Sequence, residues 1–122
     1  MNLSELMAWQ WKTYPENHRN RANLLTHIFA VPLFLAGNIG VIVALTKASV
    51  LIGVAALVIM GLAMALQGRG HALERVPPKP FTGPGNALAR IFAEQWVTFP
   101  RYVLSGGWQR ALRATNGSPL AP

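Results

Sequence analysis

HIFAVPLFLAGNIGVIVALTKASVLIGVAALVIMGLAMALQGRGH, residues 27 to 71, reads as two apolar runs hinged at one lysine. Residues 28 to 46 and 48 to 66 are almost wholly apolar, carry no charge and are separated only by Lys47. Each is close to the ~20 residues that cross a hydrocarbon core roughly 30 Å thick. The pattern therefore predicts two transmembrane helices, folded back on one another by a turn near Lys47 to Ser49. His27 and His71 are equidistant from residue 49, so such a hairpin sets them side by side at one end.

Working outward, the rest of the chain is short and basic. Its 122 residues suit one unit. We expect a single membrane-embedded helical domain over 1–114 and a disordered tail over 115–122. The first apolar run follows a polar segment and lacks a small-residue cleavage site, so a cleaved signal peptide is not expected. With no cysteine, thiolate metal sites are excluded. The net charge of +7 is placed mostly before the first run and after the second. That asymmetry puts both termini on the cytoplasmic side. Attraction to anionic headgroups explains the basic excess without nucleic acid. Abundant Ala, Gly, Pro and Arg with few Lys suit a GC-rich bacterium, hence an inner membrane, or the endoplasmic reticulum were the source eukaryotic.

The flanking segments read as interfacial helices. Residues 2 to 12 form one, capped by Asn2 with Glu5 three positions on, and Trp9 and Trp11 suit headgroup depth. Pro15 interrupts it. Residues 77 to 85 hold four prolines and two glycines and predict a linker or rigid lid. From Asn86 an amphipathic pattern appears, with Leu88, Ile91, Phe92, Gln95, Trp96 and Phe99 on one stripe and Arg90 and Glu94 off it. Pro100 is expected to close that helix, and Tyr102 to Trp108 to make another short interfacial piece. Within the hairpin, Ala36/Gly40 and Gly61/Ala65 are small-xxx-small pairs that allow close approach. Asn38 is expected to hydrogen-bond across the helix pair.

The polar residues at the His27/His71 end form a second pattern. Asn23 and His27 are four apart, and Gln67, His71 and Glu74 are spaced i, i+4, i+7, so each set shares a helix face. Reflection about residue 49 lets Asn23, His27, His71 and Glu74 converge. His18 does not follow, because nine residues of helix turn about 900° and advance about 13 Å. Either the chain bends between Arg19 and Asn23, or His18 belongs to an element that folds back over the hairpin end; two metals, or none, are the other options. Three neutral imidazoles suit a divalent ion with positions left open, as non-haem iron chemistry requires. Asn23, Gln67 and Glu74 are candidates to orient the rings through their other nitrogens. Arg69 and Arg75 flank His71 and can pair with Glu74, with lipid phosphate, or with a substrate carboxylate. The bland reading of the same histidines is that they snorkel to the headgroups.

Tyr14-x3-His18-x4-Asn23-x3-His27 continuing to Pro32, together with Gly70-His71-x2-Glu74 and a following proline, resembles the small membrane proteins of the fungal 2-hydroxy fatty acid dioxygenase family. The resemblance covers about residues 9 to 80, and Glu94 to Pro100 looks like bacterial relatives. It implies an Fe(II)-dependent dioxygenase that shortens a 2-hydroxy fatty acid by one carbon, in fungi within phytosphingosine breakdown. The family's metal-binding histidines fall on His18, His27 and His71, and Glu74, Asn23 and Tyr14 occupy the other motif positions. Glu74 is then a fourth ligand or a base, and Gln67, Arg69 and Arg75 are candidates to hold substrate. The chain departs from the family at Val76-Pro77-Pro78-Lys79-Pro80.

The expected partners are a lipid or fatty-acyl substrate, O2 and the membrane, with a homo-oligomer as an option. Two rivals remain at this level: a non-enzymatic membrane protein whose small-residue faces drive association, and a metal or proton transport component.

Overall fold

The computed structural model describes residues 1–116. The regular secondary structure of those residues is all helical, with no strand among them. Helix α1 spans Leu3–Thr13 and starts where the Asn2 side chain accepts a hydrogen bond from the Glu5 amide at 2.9 Å, the expected cap. Pro15 then tightens the chain into a 3-10 turn, Tyr14–Asn17. The two apolar runs become α2, Arg21–Thr46, and α3, Val50–His71, packed along each other as a hairpin.

The turn falls where the sequence places it. Ala48 takes a left-handed conformation, φ 49°, and Ser49 caps α3 by accepting from the Ile52 amide at 3.2 Å. Close approach does depend on small residues, of which only Gly40 belongs to an expected pair. A Cβ on Gly37 would lie 2.5 Å from Met60 Cγ, and one on Gly40 would lie 3.0 Å from Ala56 Cβ, whereas one on Gly61 would meet nothing within 4 Å. Ala36, Gly61 and Ala65 face outward. A 26-residue helix turns its faces continuously, so a neighbour one position away from the predicted one meets the partner.

Both helices are long and apolar enough to cross a membrane. Only 28% and 17% of their most apolar stretches are buried within the protein. A soluble core helix would cover far more of itself, and here Phe29, Ile42, Leu45, Leu51, Leu57 and Val58 stand exposed.

Beyond α3 the proline-rich segment 72–83 crosses the hairpin end without helix and is pinned there. Arg90 donates to the Lys79 and Pro80 carbonyls at 2.8 and 3.2 Å, and Asn17 donates to the Val76 carbonyl at 3.0 Å. Helix α4, Pro84–Ala93, follows, and a wide π turn over Glu94–Thr98 joins it to α5, Phe99–Leu104. Pro100 does not close this helix. It sits in the first turn of α5, where a missing amide is tolerated, and the wider turn before it accommodates the ring. Helix α6, Gly107–Ala114, returns along the start of α2, and its Trp108 indole donates to the Leu24 carbonyl at 2.9 Å.

The C-terminal helices pack against both α1 and the hairpin. Asn38 bonds to them and not across α2 and α3: its side-chain oxygen accepts from the Trp96 indole at 2.9 Å while its amide donates to Phe34 of its own helix. Thr115 and Asn116, placed by the sequence in the tail, both accept from Arg21. The remainder of that tail, 117–122, lies outside the described residues.

Candidate metal centre

The hairpin end opposite the Lys47 turn gathers side chains from four parts of the chain. His27 lies on α2 one turn after Asn23, and His71 closes α3. His18 follows the 3-10 turn, in the non-helical link that precedes α2, and Glu94 opens the π turn. Of the two routes open to His18, the structure takes the fold-back one. One ligand atom from each of these four residues lies within 4.8 Å of the others.

The arrangement is close to threefold. Each pair of imidazole centroids is 4.8 Å apart, with planes crossed at 88°, 80° and 81°. Glu94 Oε2 is 3.5 Å from His18 Nε2 and 3.7 Å from His27 Nε2. Two ligand atoms each about 2.1 Å from a shared ion, at the tetrahedral angle, stand about 3.4 Å apart. The two Glu94–imidazole separations match that spacing, and the other ligand atoms of the group lie within 4.8 Å of one another.

Backbone carbonyls decide which nitrogen points inward. His18 Nδ1 is 2.8 Å from the Tyr14 carbonyl and His27 Nδ1 is 3.0 Å from the Asn23 carbonyl. A carbonyl only accepts, so in the neutral ring each Nδ1 carries the proton and each Nε2 keeps its lone pair. Those two Nε2 atoms and His71 Nδ1 are buried with no hydrogen-bond partner among the described residues. Buried acceptors left bare cost free energy, and finding three at one point is exceptional. A single cation accepting all three lone pairs removes the anomaly. Three neutral imidazoles and a carboxylate suit a divalent transition metal.

Glu94 is held in its ionised form. Burial pushes its carboxyl up, but the pull of His18, His27 and His71 outweighs that and brings it down to about 2. Tyr14 donates its hydroxyl to Glu94 Oε2 at 2.7 Å and stacks on the His18 ring, with centroids 3.7 Å apart. Burial, and then the charge of Glu94, push the Tyr14 phenol well above its ordinary value, so it remains a donor.

Glu74 has a different place from the one expected. Its oxygens accept from the Arg19 and Asn20 amides at 3.0 to 3.1 Å and from the Asn23 side chain at 2.7 Å. With its lone pairs so engaged it joins the end of α3 to the start of α2, where the helix dipole also favours an anion. It positions His18 and His27 and is not among the converging ligand atoms. Asn23 serves the same clamp, and it fits because Gly70 has no side chain: a Cβ there would lie 2.3 Å from Asn23 Oδ1. Gln67 bonds to no ring, and it lies on the wall of the cavity beside the centre. It is locked with Gln95 in a reciprocal amide pair, 2.9 and 2.7 Å, both residues buried. Arg69 and Arg75 are exposed and turn away from the cluster.

A cavity of about 330 Å³ adjoins the centre. His18, His71, Tyr14 and Glu94 form its polar end, and Trp9, Met64, Phe81 and Ile91 are among its apolar walls. Arg90, buried between the rings of Trp9 and Phe81, seals the side where the proline-rich segment crosses. None of the protein-family models, curated proteins or solved structures compared with this chain matches it.

Sequence reasoning thus missed Glu94, Gln95 and Arg90. A glutamine inside an otherwise apolar stripe, and an arginine and glutamate four apart beside it, were the available signals.

Proposed function

We propose that this protein is an integral membrane, Fe(II)-dependent dioxygenase acting on 2-hydroxy fatty acids, with both termini cytoplasmic. The observation that carries the proposal is the convergence of three unpartnered imidazole nitrogens and one carboxylate beside a largely apolar cavity. The exposed apolar belt of the hairpin supports insertion in a bilayer, where an acyl substrate is at hand. The motif resemblance supports iron and the reaction class.

His18, His27, His71 and Glu94 would hold the ion, which when bound supplies the redox chemistry toward O2 that no side chain here can provide. The remaining steps belong to the protein. The apolar cavity accepts the acyl chain and directs the hydroxy-acid end at the His/Glu cluster, while its walls exclude water. Tyr14 keeps a proton at its hydroxyl against Glu94 Oε2, fixing the carboxylate and standing at the cavity's polar end as a donor. The overall change, a 2-hydroxy acid plus O2 giving the acid one carbon shorter, carbon dioxide and water, balances with no further reductant.

Anaerobic reconstitution with Fe(II) in detergent or nanodiscs tests the reading. We expect one iron per chain and consumption of O2 with a long-chain 2-hydroxy acid, both lost in His27→Ala. An iron-free wild-type protein, or a His18/His27/His71 triple alanine variant with full activity, would overturn it.

A further inference from the structure

On the far side of His18 from the apolar cavity lies a second hollow, of about 460 Å³, that the proposed reaction does not use. His18, Arg19, Tyr102, Gly107, Arg110 and Thr115 are among its walls. Its chemistry is the reverse of the first cavity's. Two guanidiniums line it and no carboxylate does, and neither Arg19 nor Arg110 makes an ion pair among the described residues. Only four acidic residues exist in the chain, and two of them, Glu74 and Glu94, are already engaged elsewhere.

The hollow is built rather than incidental. Tyr102 is buried, set edge-on to Tyr14 with centroids 5.1 Å apart, and pressed against Gly107, where a Cβ would lie 2.4 Å from its ring. Its hydroxyl has no hydrogen-bond partner among the described residues. Burial, and to a smaller extent Glu74, push the phenol up from its ordinary value while Arg110 and Arg19, which line the same hollow, pull against that. The outer wall is held by Arg21, which donates to Thr115 and Asn116 at 3.1 and 2.9 Å.

We infer that this hollow is a binding site for a phosphate group, held by the guanidiniums of Arg19 and Arg110 with the Tyr102 hydroxyl as third donor. Guanidinium pairs suit phosphate oxygens through paired N–H donors. A phenol that stays protonated donates to such an anion and does not repel it. The phosphate has two sources, an anionic phospholipid headgroup or free phosphate. Placed against the back of His18, the group would tie the metal end of the protein to the layer in which anionic headgroups lie. The site is argued from its own residues and stands whether or not the metal centre is an oxygenase.

Full-length protein in phosphatidylcholine nanodiscs, without added metal, provides the test. Retention of phosphatidylglycerol is read by native mass spectrometry, and inorganic phosphate is titrated against Trp108 fluorescence. We expect saturable binding of at least one of these, weakened at least tenfold in Arg19→Gln/Arg110→Gln and several-fold in Tyr102→Phe. Retained phosphatidylglycerol without a phosphate response identifies the lipid as the source; a saturable phosphate response without lipid preference identifies free phosphate. Wild-type protein that binds neither, or a folded double variant that binds as wild type does, overturns the inference. Because wild type alone can return the negative result, a variant that fails to fold does not shield it.

Discussion

The two ends of the hairpin are made of the same helices and stabilised in different ways. At the Lys47 end, α2 and α3 touch through small residues, and the exposed side chains around them are apolar. At the His27/His71 end, the six other helical elements close over the pair, and buried polar groups outnumber what an apolar core would hold. The contrast teaches that the helix pair is a scaffold whose specificity is concentrated at one end. The buried polar groups there are matched by partners, save the nitrogens that face the centre, the Tyr102 hydroxyl at the arginine-lined hollow, and Asn23 Oδ1, which rests against Gly70.

The largest expected effect comes from separating the ligands from their clamp. His27→Ala should abolish stoichiometric metal binding, whereas Glu74→Gln should leave all four ligands present and weaken metal affinity by about 10 to 100-fold, as outer-shell losses do. Metal content after dialysis against graded chelator measures both. Equal effects of the two changes would argue that Glu74 is itself a ligand. Because imidazole must be neutral to bind, metal retention should fall on acidification. Glu94, ionised down to about 2, should not contribute to that loss.

A glycine pair on one helix provides the next contrast. Gly70→Ala drives a Cβ into Asn23 and should cost about 1–3 kcal/mol through overpacking. Gly61→Ala meets open space and should be neutral or slightly stabilising, since alanine is the better helix former. Thermal unfolding in a fixed detergent compares them, and similar losses at both positions would contradict the packing described.

The buried amides allow a subtler comparison. Gln67→Leu or Gln95→Leu alone strands a buried partner and should cost about 1–3 kcal/mol, while the double leucine variant should recover most of it. A double variant as unstable as the sum of the singles would mean the pair is not the unit it looks to be. At the other end, Ala48→Gly should raise stability by about 1 kcal/mol, by relieving a left-handed alanine.

The hairpin could be read from residues 27 to 71 because uncharged runs of that length have few other uses, and symmetry about residue 49 then brings His27 and His71 together. The fold-back of His18 was one of two readable options, since Pro15 and the polar residues after it already break the helix. Glu94 escaped because it was judged by regular helical spacing, on which it falls outside the apolar stripe. The π turn that begins at Glu94 breaks that spacing. Glu74 looked like a ligand because residue type and register suit one, but three backbone and side-chain donors reach it first. The carbonyls of Tyr14 and Asn23, which orient two of the imidazoles, leave no trace in residue identity.

The π turn also places a limit on how this segment can vary in length. One widened turn lets Glu94, Gln95 and Thr98 all face inward, toward the cluster, Gln67 and Gln10 respectively. Removing a single residue between 95 and 97 would let the turn revert to ordinary winding, which absorbs the loss with little rotation of α5 relative to Glu94. Tyr102 and the arginine-lined hollow would then keep their places, whereas a deletion within α4, where no widened turn takes up the slack, would rotate them by about 100° away from Tyr14 and His18.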